Sequence, residues 1–333
     1  MYLDAIRRFV IRILLRQRLV EESGKELDLS IFREGPIAVH FEESKEQHYE
    51  VPTEFYKLVL GSNLKYSCSF FEDNFDRSIL KSTEATRIKN ALSQAESKML
   101  EKTINFAEIE DGMKILDLGC GWGSLSLYLA KKFSNISITA VSHSATQREF
   151  IESHGYNNIK VITSNINDLN INEKFDRVVS VEMFEHMRNL ESLFSLVSSL
   201  LAPNGLAVAH IFNHKKYAYL FETKGASNWM GRYFFTGGMM PSRELYYKFN
   251  NLEVIDRIDY SGINYMLTSE LWLRLIDLNK DEVLSIFNKC YNGQGKLWFD
   301  RWRIFFLAVA ELFGFKGGEE WGVSHYKFIS KDR

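Results

Sequence analysis

The chain has 333 residues, 45% of them hydrophobic, enough for a large core with attachments. A formal net charge of -2 leaves no basic excess, so no nucleic-acid partner is expected. The three cysteines, Cys68, Cys120 and Cys290, lie far apart, with neither metal-type nor disulfide-framework spacing. That usage points to a reducing, cytoplasmic compartment and to no metal, and no apolar run approaches the ~20 residues that span a bilayer.

The first 20 residues carry Ile6, Phe9, Val10, Ile13 and Leu14 at helical spacing, interleaved with Arg7, Arg8, Arg12, Arg16 and Arg18. The arginines interrupt any apolar segment and exclude a signal peptide. Two readings stay open. The basic helix lies on an anionic membrane as a peripheral contact, or it packs on the protein and shows its arginines to water. The general inward facing of apolar stripes favours packing.

Residues 1 to about 110 read as mostly helical, with one pattern running from Thr83 to Asn105. From Lys114 the character changes to short apolar runs separated by helices. Strands are expected at Lys114 to Leu118, Ile136 to Val141, Lys160 to Thr163, Phe175 to Val181 and Leu206 to Phe212. Helices are expected at Ser124 to Phe133, Thr146 to Ser153, and Leu190 to Leu201, the last stopping at Pro203-Asn204-Gly205. Strands alternating with helices imply an α/β fold, a doubly wound, mostly parallel sheet. Ligands in such sheets sit beyond the carboxyl ends of the strands. After Phe212 the pattern loosens into an aromatic-rich segment, Trp229 to Gly238, read as an inserted substrate lid. A helix-rich stretch from Thr268 to Phe313 and a final strand from Val323 to Ile329 follow. The expected organisation is an N-terminal helical cap and cofactor lid (1–110), a nucleoside-cofactor core (111–212), a substrate lid and helical insertion (213–322) and a closing strand (323–333).

Ile115-Leu116-Asp117-Leu118-Gly119-Cys120-Gly121-Trp122-Gly123 reads as an apolar strand entering a glycine turn, with an acid two positions before the first glycine. Glycine permits strained turns and close ligand approach to the main chain. A diphosphate-binding loop has G-x-G-x-x-G and an acid about 20 positions later. Here the spacing is G-x-G-x-G and the acid comes first, as in S-adenosylmethionine (SAM) methyltransferases. The bland alternative is an ordinary strand-turn-helix corner.

Further chemistry-bearing segments are Glu46-Gln47-His48-Tyr49-Glu50, Tyr66-Ser67-Cys68, Glu182-Met183-Phe184-Glu185-His186 and His210 to His214. Together with the glycine turn, they make the chain resemble the cyclopropane-fatty-acid-synthase-like SAM methyltransferases, from about Glu46 to the C-terminus. It looks closest to the coclaurine N-methyltransferase-like branch. Glu46 to Thr53, Glu182 to Met187, Tyr233 to Gly238 and Gly318 to Tyr326 carry that likeness.

The resemblance implies a class I, Rossmann-like SAM fold and a set of roles. Gly119, Gly121 and Gly123 approach the cofactor by main chain, and Asp117 steers the turn. Tyr66 and Ser67 cover the methionine end, Ser142 and Gln147 hold ribose and adenine, and Asn165 stands where an aspartate often meets the adenine amine. In cyclopropane synthases of the family a bicarbonate acts as base. The matching positions are Cys68, Glu185, His210 and Tyr265, the last placed by its spacing to Trp272. Bicarbonate belongs to the lipid reading alone, because the N-methylating branch keeps most of these residues.

Glu182 is the departure that matters, since the lipid synthases usually have glycine there. A second carboxylate beside Glu185 and His186 suits an amine, which is protonated in neutral water. Two carboxylates can orient the cation and a histidine can take its proton. A charged glutamate beside an acyl chain would be costly to bury. The preferred reading is methyl transfer to the nitrogen of a small amine. The alternative is methyl or methylene transfer to an unsaturated lipid. Against these stand plain structural roles: a strand-end hydrogen-bond pair for Glu185 and His186, a solvated loop for Glu182, a core histidine for His210, loop positions for His143 and His214, and packing for Cys68 and the lid aromatics.

Overall fold

The structure, a computed structural model, describes residues 2–39, 51–225 and 228–331. Glu46 to Glu50, part of the branch-specific likeness, lie outside the described residues. Described residues of Met1–Lys25, Val51–Met99 and Tyr260–Gly322 form one compact unit, and those of Glu26–Glu50, Leu100–Asp259 and Val323–Arg333 a second.

The second unit is built on a seven-stranded sheet. Its strands are β1 (Lys114–Leu118), β2 (Ser137–Ser142), β3 (Ile159–Thr163), β4 (Phe175–Val181), β5 (Leu201–His214), β8 (Leu252–Ser261) and β9 (Trp321–Ser330). A separate antiparallel ribbon pairs β6 (Tyr219–Leu220) with β7 (Met239–Met240). The order in the large sheet is β3-β2-β1-β4-β5-β9-β8. β1 pairs in parallel with β2 and with β4, β2 with β3, and β4 with β5. The chain winds outward from β1 to β3 and then crosses back to β4. That reversal opens a crevice at the carboxyl ends of β1 and β4, where open α/β sheets hold ligands.

The short apolar runs become strands because parallel strands are buried on both faces. Helix Ser124–Lys132 puts Leu125 and Leu129 on one face, among Ile115, Ile138, Val179 and Val208. Helix Leu190–Leu200 puts Leu193, Phe194 and Val197 on the other, among Leu116, Val178 and Ala207. Ser144 and Asn189 cap their helices by accepting from the main-chain N–H of Gln147 and Ser192.

Several elements differ from expectation. β5 begins at Leu201, through the expected turn: Asn204 is left-handed, and pairing passes from Phe175↔Leu201 to Arg177↔Leu206 across a bulge. β8 was not expected at all. It is the last strand in the sheet order, and Glu253, Asp256 and Asp259 along it break the apolar run that marks an inner strand.

The first unit is helical: Tyr2–Ser23, Thr53–Val59, most of Ala85–Phe106, Ile263–Leu278, Lys280–Cys290 and Gly295–Gly314. Its core accounts for much of the aromatic content. Phe55 packs at 4.8 Å between ring centroids on both Phe287 and Trp302, and Trp272 at 5.5 Å on Phe306. The N-terminal helix reverses the favoured reading of its faces. Its apolar residues Leu3, Ile6, Phe9, Val10 and Ile13 are exposed, while its charges hold it to the unit. Arg8 donates to Glu270 at 2.6 Å and Glu311 at 2.7 Å, Arg12 pairs with Glu311, and Arg303 donates to Asp4 at 2.6 Å.

Candidate active site

The glycine turn leaves β1 in the left-handed region at Gly119 and Gly123. A Cβ at Gly119 would stand 2.7 Å from the Met183 side chain, and one at Gly123 2.7 Å from Ile151. Both positions therefore need glycine. Gly121 is left-handed too, but nothing lies within 4 Å of where its Cβ would be. The loop thus offers main chain to open space, as a nucleoside cofactor requires.

Asp117 is buried and accepts from Ser126 Oγ at 2.6 Å, tying β1 to the helix after the loop. Burial pushes its carboxyl up to about 6, against the two hydrogen bonds from Ser126 that lower it. The N–H groups of Gly119 and Cys120 both donate to Val141 O, which ties the turn to the end of β2. There Ser142 Oγ donates to Gln147 Oε1 at 2.6 Å, both side chains buried. Asn165, two residues beyond β3, caps a short turn, its Oδ1 accepting from Asn167 N at 3.0 Å.

The carboxyl end of β4 carries the second half of the constellation. Glu182 is left-handed, with φ of 48°. A non-glycine residue there is held against strain of about 1–2 kcal/mol. Its N–H donates to His210 O at 2.7 Å, and its carboxylate lies 3.6 Å from His210 Nε2. Glu185 is fully buried. Its Oε1 accepts from Phe212 N at 2.6 Å, whereas its Oε2 is buried without a hydrogen-bond partner. Burial, and then the charge of Glu182, holds the Glu185 carboxyl well above the usual carboxylate range. Two carboxylates and a histidine therefore share one end of the sheet, beside the glycine turn that Met183 touches.

His186 is half-buried, its ring stacked on Phe235 at 5.4 Å and 15°. The aromatic segment lies directly on this turn: a Cβ at Gly238 would stand 3.3 Å from Glu185 O, and Arg188 donates to Gly237 O. His214 is the buried last residue of β5, its Nδ1 accepting from Lys216 N and Tyr217 N.

The remaining expected residues come together in the helical unit. Tyr66 packs on Trp272 at 5.4 Å, and Tyr265 meets the same indole at 6.1 Å. Ser67 and Cys68 are buried. Helix Ile263–Leu278 fixes the segment, since Ser69 N donates to Thr268 Oγ1 and Phe71 N to Asn264 Oδ1.

Three residues with bearing on these sites escaped the sequence reading. Lys65 is fully buried and donates to Ser67 Oγ at 2.5 Å and Cys68 O at 2.6 Å. Glu96, equally buried, accepts from Gly61 N at 2.7 Å and Asn63 N at 3.0 Å, fixing the turn that enters the segment. Burial raises its carboxyl to about 7, against its hydrogen bonds and the charge of Lys65. Tyr246 is fully buried, its hydroxyl without a hydrogen-bond partner. Burial and then the charge of Glu185 raise its phenol well above the ordinary value. The only available signal was position: Lys65 directly precedes Tyr66, and Gly61 precedes a tight turn.

The chain is similar to known proteins. The sequence profile of the mycolic acid cyclopropane synthetase family matches residues 38–314. The (S)-coclaurine N-methyltransferase of Thalictrum flavum subsp. glaucum is 36% identical over 310 residues, 90% of this chain and 82% of the relative. That of Papaver somniferum is 33% identical, over 97% of this chain and 93% of the relative. A crystal structure of coclaurine N-methyltransferase bound to N-methylheliamine and SAH matches with a TM-score of 0.86 at 32% identity. The match covers 97% of this chain and 94% of that one.

Proposed function

We propose that this chain, which belongs to the mycolic acid cyclopropane synthetase family and is a SAM-dependent N-methyltransferase, binds its small amine as an ammonium ion through Glu182 and Glu185. One observation carries the reading: Glu185 Oε2 is buried, unpartnered and next to a second carboxylate. An unsatisfied buried carboxylate oxygen is costly. A cationic N–H donor satisfies it, and an acyl chain does not.

SAM supplies an electrophilic methyl group on a sulfonium. The chain's residues do the rest. Glu182 and Glu185 bind and orient the ammonium. His186 accepts the proton that frees the nitrogen lone pair, and the aromatic segment stacked on His186 excludes water. The new N–CH3 bond forms as the S–CH3 bond breaks, leaving a neutral thioether. His210 Nε2 stands 3.6 Å from the Glu182 carboxylate. Gly119, Gly121 and Gly123 are assigned to the cofactor main-chain cradle, Ser142, Gln147 and Asn165 to its nucleoside, and Tyr66 and Ser67 to its methionine end. The likeness to (S)-coclaurine N-methyltransferases makes coclaurine-type amines the first acceptors to assay.

His186→Ala tests the base. A positioned general base contributes about 10²–10⁴-fold, so turnover should fall by at least about 100-fold while SAM binding is retained. Unchanged turnover would remove His186 from the mechanism.

A further inference from the structure

Lys65 is 0% exposed, and a buried cation is costly unless it is paired and hydrogen-bonded. Its ammonium donates to Ser67 Oγ at 2.5 Å and to Cys68 O at 2.6 Å. The main chain on either side of this contact is fixed by other residues. Glu96 holds the entry by accepting from Gly61 N and Asn63 N. Thr268 and Asn264 hold the exit by accepting from Ser69 N and Phe71 N. What the cation adds beyond them is its effect on Ser67.

Ser67 is buried, and a serine hydroxyl has one hydrogen to donate and two lone pairs. One lone pair of Ser67 Oγ takes the hydrogen bond from Lys65, so the hydroxyl hydrogen is directed away from that ammonium. Among the described residues it meets no acceptor. A hydrogen bond from a cation polarises the O–H that receives it and makes it a stronger donor. A donor backed by a buried positive charge selects an anionic acceptor. The methionine end of SAM carries one, its carboxylate, next to an ammonium that such a donor cannot bind.

We propose that Lys65 is a positioning residue for the cofactor, directing and polarising the Ser67 hydroxyl so that it binds the carboxylate of SAM. Lys65 acts through Ser67 and does not itself touch the cofactor. The proposal rests on the assignment of Ser67 to the methionine end.

The test compares calorimetric binding of SAM and of decarboxylated SAM, which lacks that carboxylate, to the full chain. Lys65→Gln keeps N–H donors but removes the charge, and Ser67→Ala removes the hydroxyl. Circular dichroism and thermal melts establish that each variant is folded at the assay temperature. A hydrogen bond to a charged group is worth about 10-fold or more in affinity. Both variants should therefore bind SAM about 10-fold or more weakly than the parent, and decarboxylated SAM within about threefold of it. Equal weakening of the two ligands would overturn the proposal, because a disordered segment produces that and a lost carboxylate contact does not. Unchanged SAM affinity in Lys65→Gln would also overturn it. If Ser67→Ala alone weakens SAM, the assignment of Ser67 stands and Lys65 drops out. If neither variant alters SAM binding, Ser67 itself leaves the methionine end. Should Lys65→Gln fail to fold, Ser67→Ala decides: it must lose the parent's preference for SAM over decarboxylated SAM, and an undiminished preference overturns the proposal.

Discussion

Replacing Glu182 by glycine should move stability and activity in opposite directions. Glu182 occupies the left-handed region at a φ of 48°, a strain of about 1–2 kcal/mol for a residue with a Cβ. Glycine relieves it but returns ~0.5–1 kcal/mol through its more flexible unfolded state. The substitution also removes the charge that helps hold the Glu185 carboxyl high, and loses the approach to His210. The sum is a protein of equal stability or one more stable by up to ~1 kcal/mol, a melting temperature unchanged or raised by about 2 °C. The amine, however, loses one charged hydrogen bond of about 1.5–3 kcal/mol. That corresponds to a fall in kcat/KM of roughly 10- to 150-fold. Thermal melts, SAM binding by calorimetry and initial rates with the amine provide the readouts. An amine kcat/KM within about threefold of the parent, with SAM binding intact, would refute the assignment of Glu182 to the ammonium.

The Glu185 carboxyl must be ionised to hold a cation, and burial beside Glu182 raises it well above the ordinary range. Amine kcat/KM should therefore fall on acidification at a higher pH than an ordinary carboxylate would give. Glu182→Gln should move that limb to lower pH; an unmoved limb would separate the two groups. Glu96 keeps its proton in the fold up to about 7, against the ordinary 4.5 of a glutamate. The unfolded chain ionises first, so stability falls as pH rises through that window, by up to about 3 kcal/mol. Glu96→Gln should lack this slope in denaturant melts at either end of the window, and parallel curves for the two proteins would contradict it. Lys65→Met removes two charged hydrogen bonds to Ser67 and Cys68 and the cation near Glu96. Breaking such a buried arrangement costs about 3–5 kcal/mol, with faster amide exchange expected over 65–71; a loss below about 1 kcal/mol would show Lys65 to be dispensable.

The nucleoside-binding half of the fold was legible because its signals are local. β1 and β4 lie where their apolar runs place them, and the glycine turn needs no distant partner to be recognised. What stayed hidden depends on residues far apart in the chain. The periodicity of the N-terminal helix showed a two-faced element but not which face is covered, since Glu270 and Glu311 lie some 260 to 300 positions away. β8 reads as polar because its charges interrupt its apolar positions. Glu96 and Lys65 look like ordinary surface charges until burial is known. The pairing of Glu182 with His210, across 28 positions, needed the β4–β5 register that aligns Val181 with His210.

The most direct test of nitrogen methylation is the fate of a labelled methyl group. The protein is incubated with methyl-labelled SAM, coclaurine-type amines and unsaturated phospholipid vesicles in one pool, then extracted with organic solvent. Label is expected on amine nitrogen and none on acyl chains. Label on acyl chains, with loss of the double bond, would contradict it and return Glu182 to a structural role.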